Sequence, residues 1–143
     1  VNIVNTINVL VENSYIPIIN ENDTVSTDEI KFGDNDKLSA LTAALLNVDL
    51  LIIATNTDGI YTKESIDNGN TKTIAVTSDL KSLRSQIDGA ISIHGTGGMA
   101  TKIDAAEIAF NAGIETWILN GLNDNFIVDA INNKTDFTRI ISE

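Results

Sequence analysis

The stretch HGTGGMATK, residues 94–102, places three glycines and a lysine within nine residues. Glycines let a backbone approach an oxyanion closely, and the first turn of a following helix offers unpaired N–H groups. Lys102 adds weight, because a cation in a first helical turn opposes the helix dipole unless an anion compensates it. The stretch matches neither the Walker A pattern nor G-x-G-x-x-G. It therefore has two interpretations, a phosphate-binding loop or a mobile turn that ends in a solvated lysine.

A long polar segment, ENDTVSTDEIKFGDND, occupies residues 21–36 and is rich in carboxylates and amides. Such side chains can recognise an ammonium group, orient a lysine or bind hydrated Mg²⁺. Asp34 has a simpler interpretation as the N-cap of the next helix, with Asp36 favourable in its first turn. The NEND sequence, residues 20–23, directly follows a predicted buried strand, and α/β proteins place ligand sites at strand ends.

A third candidate, TNTDGIY at residues 55–61, follows the most apolar run of the chain. A hydroxyl and an amide at a strand end can contact a nucleotide, whereas an ordinary turn through Asp58 and Gly59 explains the same residues. His94 has no identifiable acid partner, so we interpret it as a structural residue. The single histidine and the lack of cysteine exclude a multi-histidine zinc site and thiolate ligands.

Apolar runs that alternate with helical patterns predict the elements that position these residues. Helices are expected over residues 1–13, from Asp34 to about Asn47, and over 78–87, 102–113 and 124–133, with Ser78 as the cap of the third. Strands are expected over residues 15–20, 49–55, 114–121 and 136–142. The alternation predicts an α/β domain with a mainly parallel sheet sandwiched by helices.

The composition of the chain limits the classes of binding partner that it can have. The net charge of −11 over 143 residues disfavours nucleic acid and anionic membrane surfaces. No run approaches the roughly 20 apolar residues that a bilayer span needs, and the absence of cysteine fits a reducing cytoplasm. The chain opens with valine inside a helical pattern, so we interpret it as a portion of a longer protein.

Taken together, PIINENDTVSTDEIKFGDND, the strand leading to TDGIY, and GTGGMATK resemble the glutamate 5-kinase family of the amino acid kinase superfamily in order and spacing. NEND followed by GDND is the specific part, because aspartate, acetylglutamate, carbamate and uridylate kinases share the general fold. The resemblance implies ATP-dependent, Mg²⁺-assisted phosphorylation of the γ-carboxylate of L-glutamate to glutamyl 5-phosphate, the first step of proline biosynthesis.

By position, the resemblance implies that Asn20, Asp23 and Asn35 bind glutamate and that Asp36 and Lys102 are catalytic. It assigns no residue of the chain as a metal ligand. Asn56 stands where the family commonly has aspartate, which leaves its contact open. The residues that the resemblance assigns to the nucleotide are Thr55, Asn56, Thr96, Gly97, Gly98, Met99, Ala100, Thr101 and Lys102.

The resemblance also bears on domain organisation and partners. Residues 1–143 correspond to the C-terminal portion of an amino acid kinase domain, without the Lys-x-Gly-Ser strand that opens the family's domain and without the RNA-binding-like domain of some members. A cytoplasmic homo-oligomer with proline feedback inhibition is implied. Two alternatives stay open, a related amino acid kinase with another acceptor and a noncatalytic fragment that binds substrates weakly.

Overall fold

The computed structural model describes residues 3–21, 35–69, 72–88 and 97–142. In this part of the chain, helices alternate with strands, which confirms the predicted α/β class. None of the helices described is both long enough and apolar enough to cross a membrane. The elements are α1 (Ile3–Glu12), α2 (Asn35–Leu46), β1 (Leu50–Thr55), α3 (Lys63–Asp67), β2 (Val76–Thr77), α4 (Leu80–Asp88), α5 (Gly97–Asn111), β3 (Glu115–Asn120), α6 (Phe126–Ile131) and β4 (Thr138–Ile140).

The described strands form one mixed sheet in the order β1-β3-β4-β2. Strands β1 and β3 are parallel, as are β2 and β4, whereas β3 and β4 run antiparallel. The register pairs Leu50 with Glu115 and Thr55 with Asn120. Both β1 and β3 therefore end at the same edge of the sheet, which brings the loops that follow them together.

Helices α2 and α5 pack against each other, and both contribute small side chains to the hydrophobic core. Ala40 and Ala43 of α2 and Ala105, Ala106 and Ala109 of α5 are buried in one hydrophobic cluster. Alanine lets two helix backbones approach closely and is also the strongest helix former. This contact fixes the first turn of α2 relative to the first turns of α5, where the predicted catalytic residues lie.

The prediction of a buried strand at residues 15–20 is wrong. These residues form no helix or strand, and the side chains of Tyr15, Ile16 and Ile18 are 65%, 89% and 94% exposed. A run of β-branched residues supplies strand propensity, but a strand also needs a neighbour that completes its hydrogen bonds. None of the strands in the described sheet pairs with this segment.

Three local details also differ from the sequence predictions. Helix α3 and strand β2 lie between residues 56 and 77, where the sequence patterns predicted neither a helix nor a strand. Thr62 Oγ1 accepts from Ser65 N at 3.1 Å and so caps α3. The cap of α4 is Asp79 rather than Ser78, because Asp79 Oδ1 accepts from Ser82 N at 2.9 Å.

The loop after β1 is anchored on β4 at Gly59. Its φ of +130° lies where side chains are strained, and an added Cβ would lie 2.6 Å from Thr138 Oγ1 and 2.9 Å from Thr138 N. The same Thr138 hydroxyl accepts from Ile60 N at 2.8 Å, and the side chains of Ile60 and Thr138 are buried. The end of TNTDGIY is thus fixed to the core rather than free in solvent.

We predict that Gly59→Ala lowers the free energy of unfolding by at least about 2 kcal/mol, because backbone strain and a clash with Thr138 add. Urea denaturation measures the change. Gly69→Ala is the matched control, since its φ is +66° but nothing lies within 4 Å of the added Cβ. It should cost only about 1 kcal/mol. Equal losses in the two variants would contradict the close approach at Gly59.

A charged pair links β3 to β4 at the surface. Arg139 Nε donates to Glu115 Oε1 at 2.7 Å, and Trp117 Nε1 donates to the same oxygen at 2.6 Å. The hydrogen bond from Arg139, helped by the one from Trp117, lowers the pKa of Glu115 below its ordinary 4.5, although partial burial opposes the shift. The charged form of Glu115 therefore favours the folded state.

The sign of this shift predicts a pH dependence. A carboxylate with a lowered pKa in the folded state contributes its full stability above its unfolded value of 4.5, and this contribution declines as the pH falls from there through the lowered folded pKa. Glu115→Gln should therefore lower the urea midpoint more near pH 7 than at about pH 3. A variant that loses the same stability at both pH values would contradict the ion pair's role.

Candidate active site

The centre of the candidate site is an ion pair between α2 and α5. Lys102 Nζ donates to Asp36 Oδ2 at 2.8 Å, and the two side chains are only 16% and 20% exposed. Thr101 Oγ1 lies 3.1 Å from the same carboxylate oxygen. Asp36 lies in the first turn of α2, where the helix dipole favours a negative charge. The two predicted catalytic residues are therefore in direct contact.

The position of Lys102 within its helix corrects one step of the sequence argument. Helix α5 begins at Gly97, five residues before Lys102, so the lysine lies in the second turn and not in the first. The dipole effect is confined to the terminal turn, and the conflict that we had expected is accordingly smaller. In the structure, Asp36 compensates the charge of Lys102.

Two of the predicted substrate residues meet beside this pair. Asn35 Nδ2 donates to Asn20 Oδ1 at 2.9 Å, and Glu21 N donates to Asn35 Oδ1 at 3.2 Å. One side-chain amide thus ties the NEND sequence to the start of α2. Since Asn35 precedes Asp36, the amides lie next to the ion pair along the chain. Asp23, the third residue predicted to bind substrate, lies outside the described residues.

Residues 97–101 of the predicted glycine loop form the first turns of α5 instead of a loop, and residues 94–96 lie outside the described residues. Gly98 is exposed, and outside its own helix none of the described residues lies within 4 Å of the position that its Cβ would take. The first N–H groups of a helix have no partner within the helix and are the groups that commonly bind phosphate. Met99 packs partly against the hydrophobic core, and Ala100 is half-buried. Thr96 lies outside the described residues.

The ends of β1 and β3 form a second group of polar residues. Thr55 Oγ1 lies 3.4 Å from Asn56 Oδ1, and Thr55 O accepts from Gly121 N at 2.8 Å. Asn120 Nδ2 donates to Asp58 Oδ1 at 2.9 Å, while Asn120 Oδ1 accepts from Leu122 N at 3.0 Å. This group supports the loop whose first residues were predicted to contact the nucleotide.

Asn120 was missed by the sequence reasoning, although a signal was present. It is the last residue of a strand predicted to lie in a parallel sheet, and the same rule of strand ends had already directed attention to Asn20 and Thr55. What the sequence did not show was its partner, Asp58, which lies 62 residues earlier in the chain. The pairing depends on the register that sets Thr55 opposite Asn120.

A metal centre built from protein side chains is not found in the part of the chain that the structure describes. No group of three or more histidine, aspartate or glutamate side chains is arranged there to hold a metal ion. Among the described residues, the ion pair found at the site is Lys102–Asp36. The net charge of the whole chain is −11.

An α/β fold with a lysine–carboxylate pair beside a glycine-led helix defines a candidate phosphate-handling protein. The family model described as "Amino acid kinase family" matches residues 1–120. The chain belongs to the amino acid kinase family.

Several curated relatives named "Glutamate 5-kinase" are similar to the chain. The relative from Idiomarina loihiensis is 46% identical over 122 residues, which are 85% of this chain and 33% of the relative. The relative from Vibrio vulnificus is 45% identical over a region that covers 95% of this chain and 36% of the relative. That from Clostridium acetobutylicum is 43% identical, covering 99% and 53%. The chain thus spans about a third to a half of the length of these relatives.

Solved structures with the same fold belong to proteins that are named for other activities. UMP kinase from Ureaplasma parvum aligns with a TM-score of 0.65 at 18% identity, over 97% of this chain and 50% of that one. Carbamate kinase from Giardia lamblia bound to AMP-PNP aligns with a TM-score of 0.64 at 24% identity, over 98% and 49%. At these identities the similarity establishes the fold.

The contact between Asn120 and Asp58 predicts a stability effect at the strand ends. Asn120→Asp replaces a donor with a second carboxylate about 3 Å from Asp58, so we expect a loss of about 1–3 kcal/mol in the free energy of unfolding. Asn123→Asp adds the same charge on an exposed residue of the same turn and should change stability by less than about 0.5 kcal/mol. Similar effects of both variants in urea denaturation would show that the charge alone, and not the lost contact, is responsible.

Proposed function

We propose that the full-length protein transfers the γ-phosphoryl group of ATP to the γ-carboxylate of L-glutamate, giving glutamyl 5-phosphate. The observation that carries the proposal is the Lys102–Asp36 pair, in which Lys102 lies in the second turn of α5 and Asp36 lies next along the chain to the Asn20–Asn35 contact. Relatives named for this reaction, 42–47% identical to the chain, support the choice of substrate. In a bacterium with such an enzyme, this reaction opens proline biosynthesis.

The proposed reaction does not require a covalent bond between the protein and the substrate. A carboxylate oxygen of glutamate attacks the γ-phosphorus, the bond from that phosphorus to the β–γ bridging oxygen breaks, and ADP leaves with the bonding electrons. The barrier then depends on positioning and on neutralising negative charge at the transferred group. Lys102 supplies the positive charge, and Asp36 orients its ammonium group. N–H groups at the start of α5 would bind phosphate oxygens.

The substrate side of the site would recognise an amino acid through acceptors. Asn20 and Asn35 are held together by their amides, and Glu21 is tied to them through its backbone N–H. Amide and carboxylate oxygens are suitable acceptors for the ammonium group of glutamate. We place Asp23 in the same role on the basis of the NEND sequence alone.

Magnesium enters the proposal as part of the nucleotide substrate. Mg²⁺ keeps several of its waters and is commonly held by substrate phosphates with one or two carboxylates. It therefore does not need a cluster of carboxylates, and MgATP suits a site that holds a lysine paired with an aspartate. When bound, the ion would help to neutralise charge on the phosphates.

The remaining parts of the proposal rest on the family resemblance and not on a contact described above. They are a cytoplasmic location, assembly into a homo-oligomer and feedback inhibition by proline. We also propose that residues 1–143 correspond to the C-terminal portion of the kinase domain, which suits their match to about a third to a half of the relatives' lengths.

Glutamate-dependent release of ADP by the full-length protein tests the function directly. We expect Lys102→Ala and Asp36→Asn each to lower kcat by about 100-fold or more, because each removes part of the charge arrangement at the transferred phosphoryl group. Lys134→Ala removes an exposed lysine and should leave the rate unchanged. Wild-type rates in both site variants would refute the assignment of the site.

A second candidate reaction uses the same site with another acceptor. It is favoured by the shared fold with a UMP kinase and a carbamate kinase. A panel of glutamate, aspartate, acetylglutamate, carbamate and UMP, assayed for ADP release, separates the candidates. Calorimetric titration of residues 1–143 with ATP and with glutamate addresses the remaining possibility, that this portion alone is a noncatalytic piece with weak binding. Tight binding of both ligands would exclude it.

A further inference from the structure

The hydroxyl group of Thr101 lies between two acceptors. Its Oγ1 is 2.9 Å from the backbone oxygen of Gly98 and 3.1 Å from Asp36 Oδ2. A threonine hydroxyl has one hydrogen to donate, so it satisfies only one of these oxygens at a time. The bond to Gly98 is the ordinary one for a threonine within a helix. The approach to Asp36, from a different helix, needs another explanation.

The second acceptor is the oxygen that also holds Lys102. Asp36 Oδ2 therefore receives the ammonium group at 2.8 Å and lies within reach of the hydroxyl at 3.1 Å. Both donors come from adjacent residues of α5, and the pair is mostly buried, with the Asp36 side chain 20% exposed. A hydrogen bond to a charged group in such surroundings is stronger than one between neutral groups.

We propose that Thr101 is a positioning residue for Asp36, holding the carboxylate through Oδ2 while that carboxylate orients Lys102 toward the transferred phosphoryl group. This proposal rests on the proposed function. Rotation about the Cβ–Oγ1 bond of Thr101 turns the hydroxyl hydrogen from the Gly98 oxygen to Asp36 Oδ2, without any change in the helix. The role differs from the contact with the nucleotide that the family resemblance implies for Thr101.

The two roles predict different kinetics. Removal of a residue that binds the nucleotide raises the KM for ATP. A residue that acts through Asp36 and Lys102 affects the transition state and leaves ground-state binding nearly unchanged, so kcat falls while both KM values stay. Threonine also has close substitutes that separate the hydroxyl from the volume of the side chain.

The kinetic test compares Thr101→Val with Thr101→Ser in the full-length protein. Valine keeps the shape and removes the hydroxyl, so we expect kcat to fall on the order of tenfold, with KM for ATP and glutamate within about twofold of wild type. Serine keeps the hydroxyl and should restore most of the rate. A raised KM for ATP with unchanged kcat, or equal activity of the two variants, would overturn the proposal.

Ser39→Ala is the matched control. Ser39 Oγ donates to the backbone oxygen of Asp36 at 2.7 Å, so its removal takes a hydroxyl from the same residue without touching the carboxylate. We expect kcat of this variant to stay within about twofold of wild type, because a helical back-bond contributes little. A loss as large as that of Thr101→Val would show that any hydroxyl near Asp36 matters, and would contradict a specific role for Thr101.

A double-mutant cycle tests the contact without any assay of activity. Thr101→Val and Asp36→Ala are made singly and together, and urea denaturation gives the unfolding equilibrium constants. We expect Thr101→Val to change this constant about three- to tenfold more with Asp36 present than in the Asp36→Ala variant. Additive effects would refute the contact even if the enzyme phosphorylates glutamate. Coupling without glutamate-dependent ADP release would instead refute the proposed function and leave the contact standing.

Discussion

The ion pair between Lys102 and Asp36 is the interaction on which the site depends, and helix packing creates it. The two residues lie 66 positions apart and meet because buried alanines let α2 and α5 approach closely. Packing interfaces of this kind adjust little, since protein interiors are dense. The same contact fixes the start of α5 relative to Asn35 at the start of α2, so larger side chains between the helices would displace both sides of the site together.

The second set of constraints acts at the ends of β1 and β3. Parallel pairing of these strands brings Thr55 and Asn120 to one edge, and the loop between Thr55 and Tyr61 is then held from two directions. Asn120 holds it at Asp58, and Thr138 holds it at Ile60. Loops that line binding sites are often the least stable parts of a protein. Here these hydrogen bonds restrict the loop before any ligand arrives. Gly59 lets the loop approach Thr138 closely, because a side chain at this position would clash with Thr138.

Sequence patterns predicted most of this fold, and the errors have identifiable causes. Long periodic segments such as α5 and apolar runs such as β1 were found because their local signal agrees with their surroundings. The segment at residues 15–20 carries the same kind of signal, but pairing with a neighbour lies outside local sequence. Strand β2 consists of two residues, too few for any periodicity to be visible.

The site was predictable by residue type and much less so by contact. Lys102 and Asp36 were both predicted to be catalytic, yet the sequence did not show that they are partners, and it left the charge of Lys102 to be compensated by a phosphate. The position of α5 explains this error, since helix formers at Met99 and Ala100 let the helix begin at Gly97. Lys102 then faces α2 from the second turn. That geometry follows from where a helix begins, which patterns define only to within a few residues.

The acidic balance of the chain gives the ion pair its significance for an anionic ligand. A chain of net charge −11 repels anionic ligands at long range, so attraction must come from short-range groups. A fully exposed lysine would be screened by salt and by water, whereas Lys102 is 16% exposed and held by one carboxylate. Partial burial strengthens its field at short distance, and pairing with Asp36 limits the cost of burial. An anion beside Lys102 would therefore meet a positive charge that is already oriented.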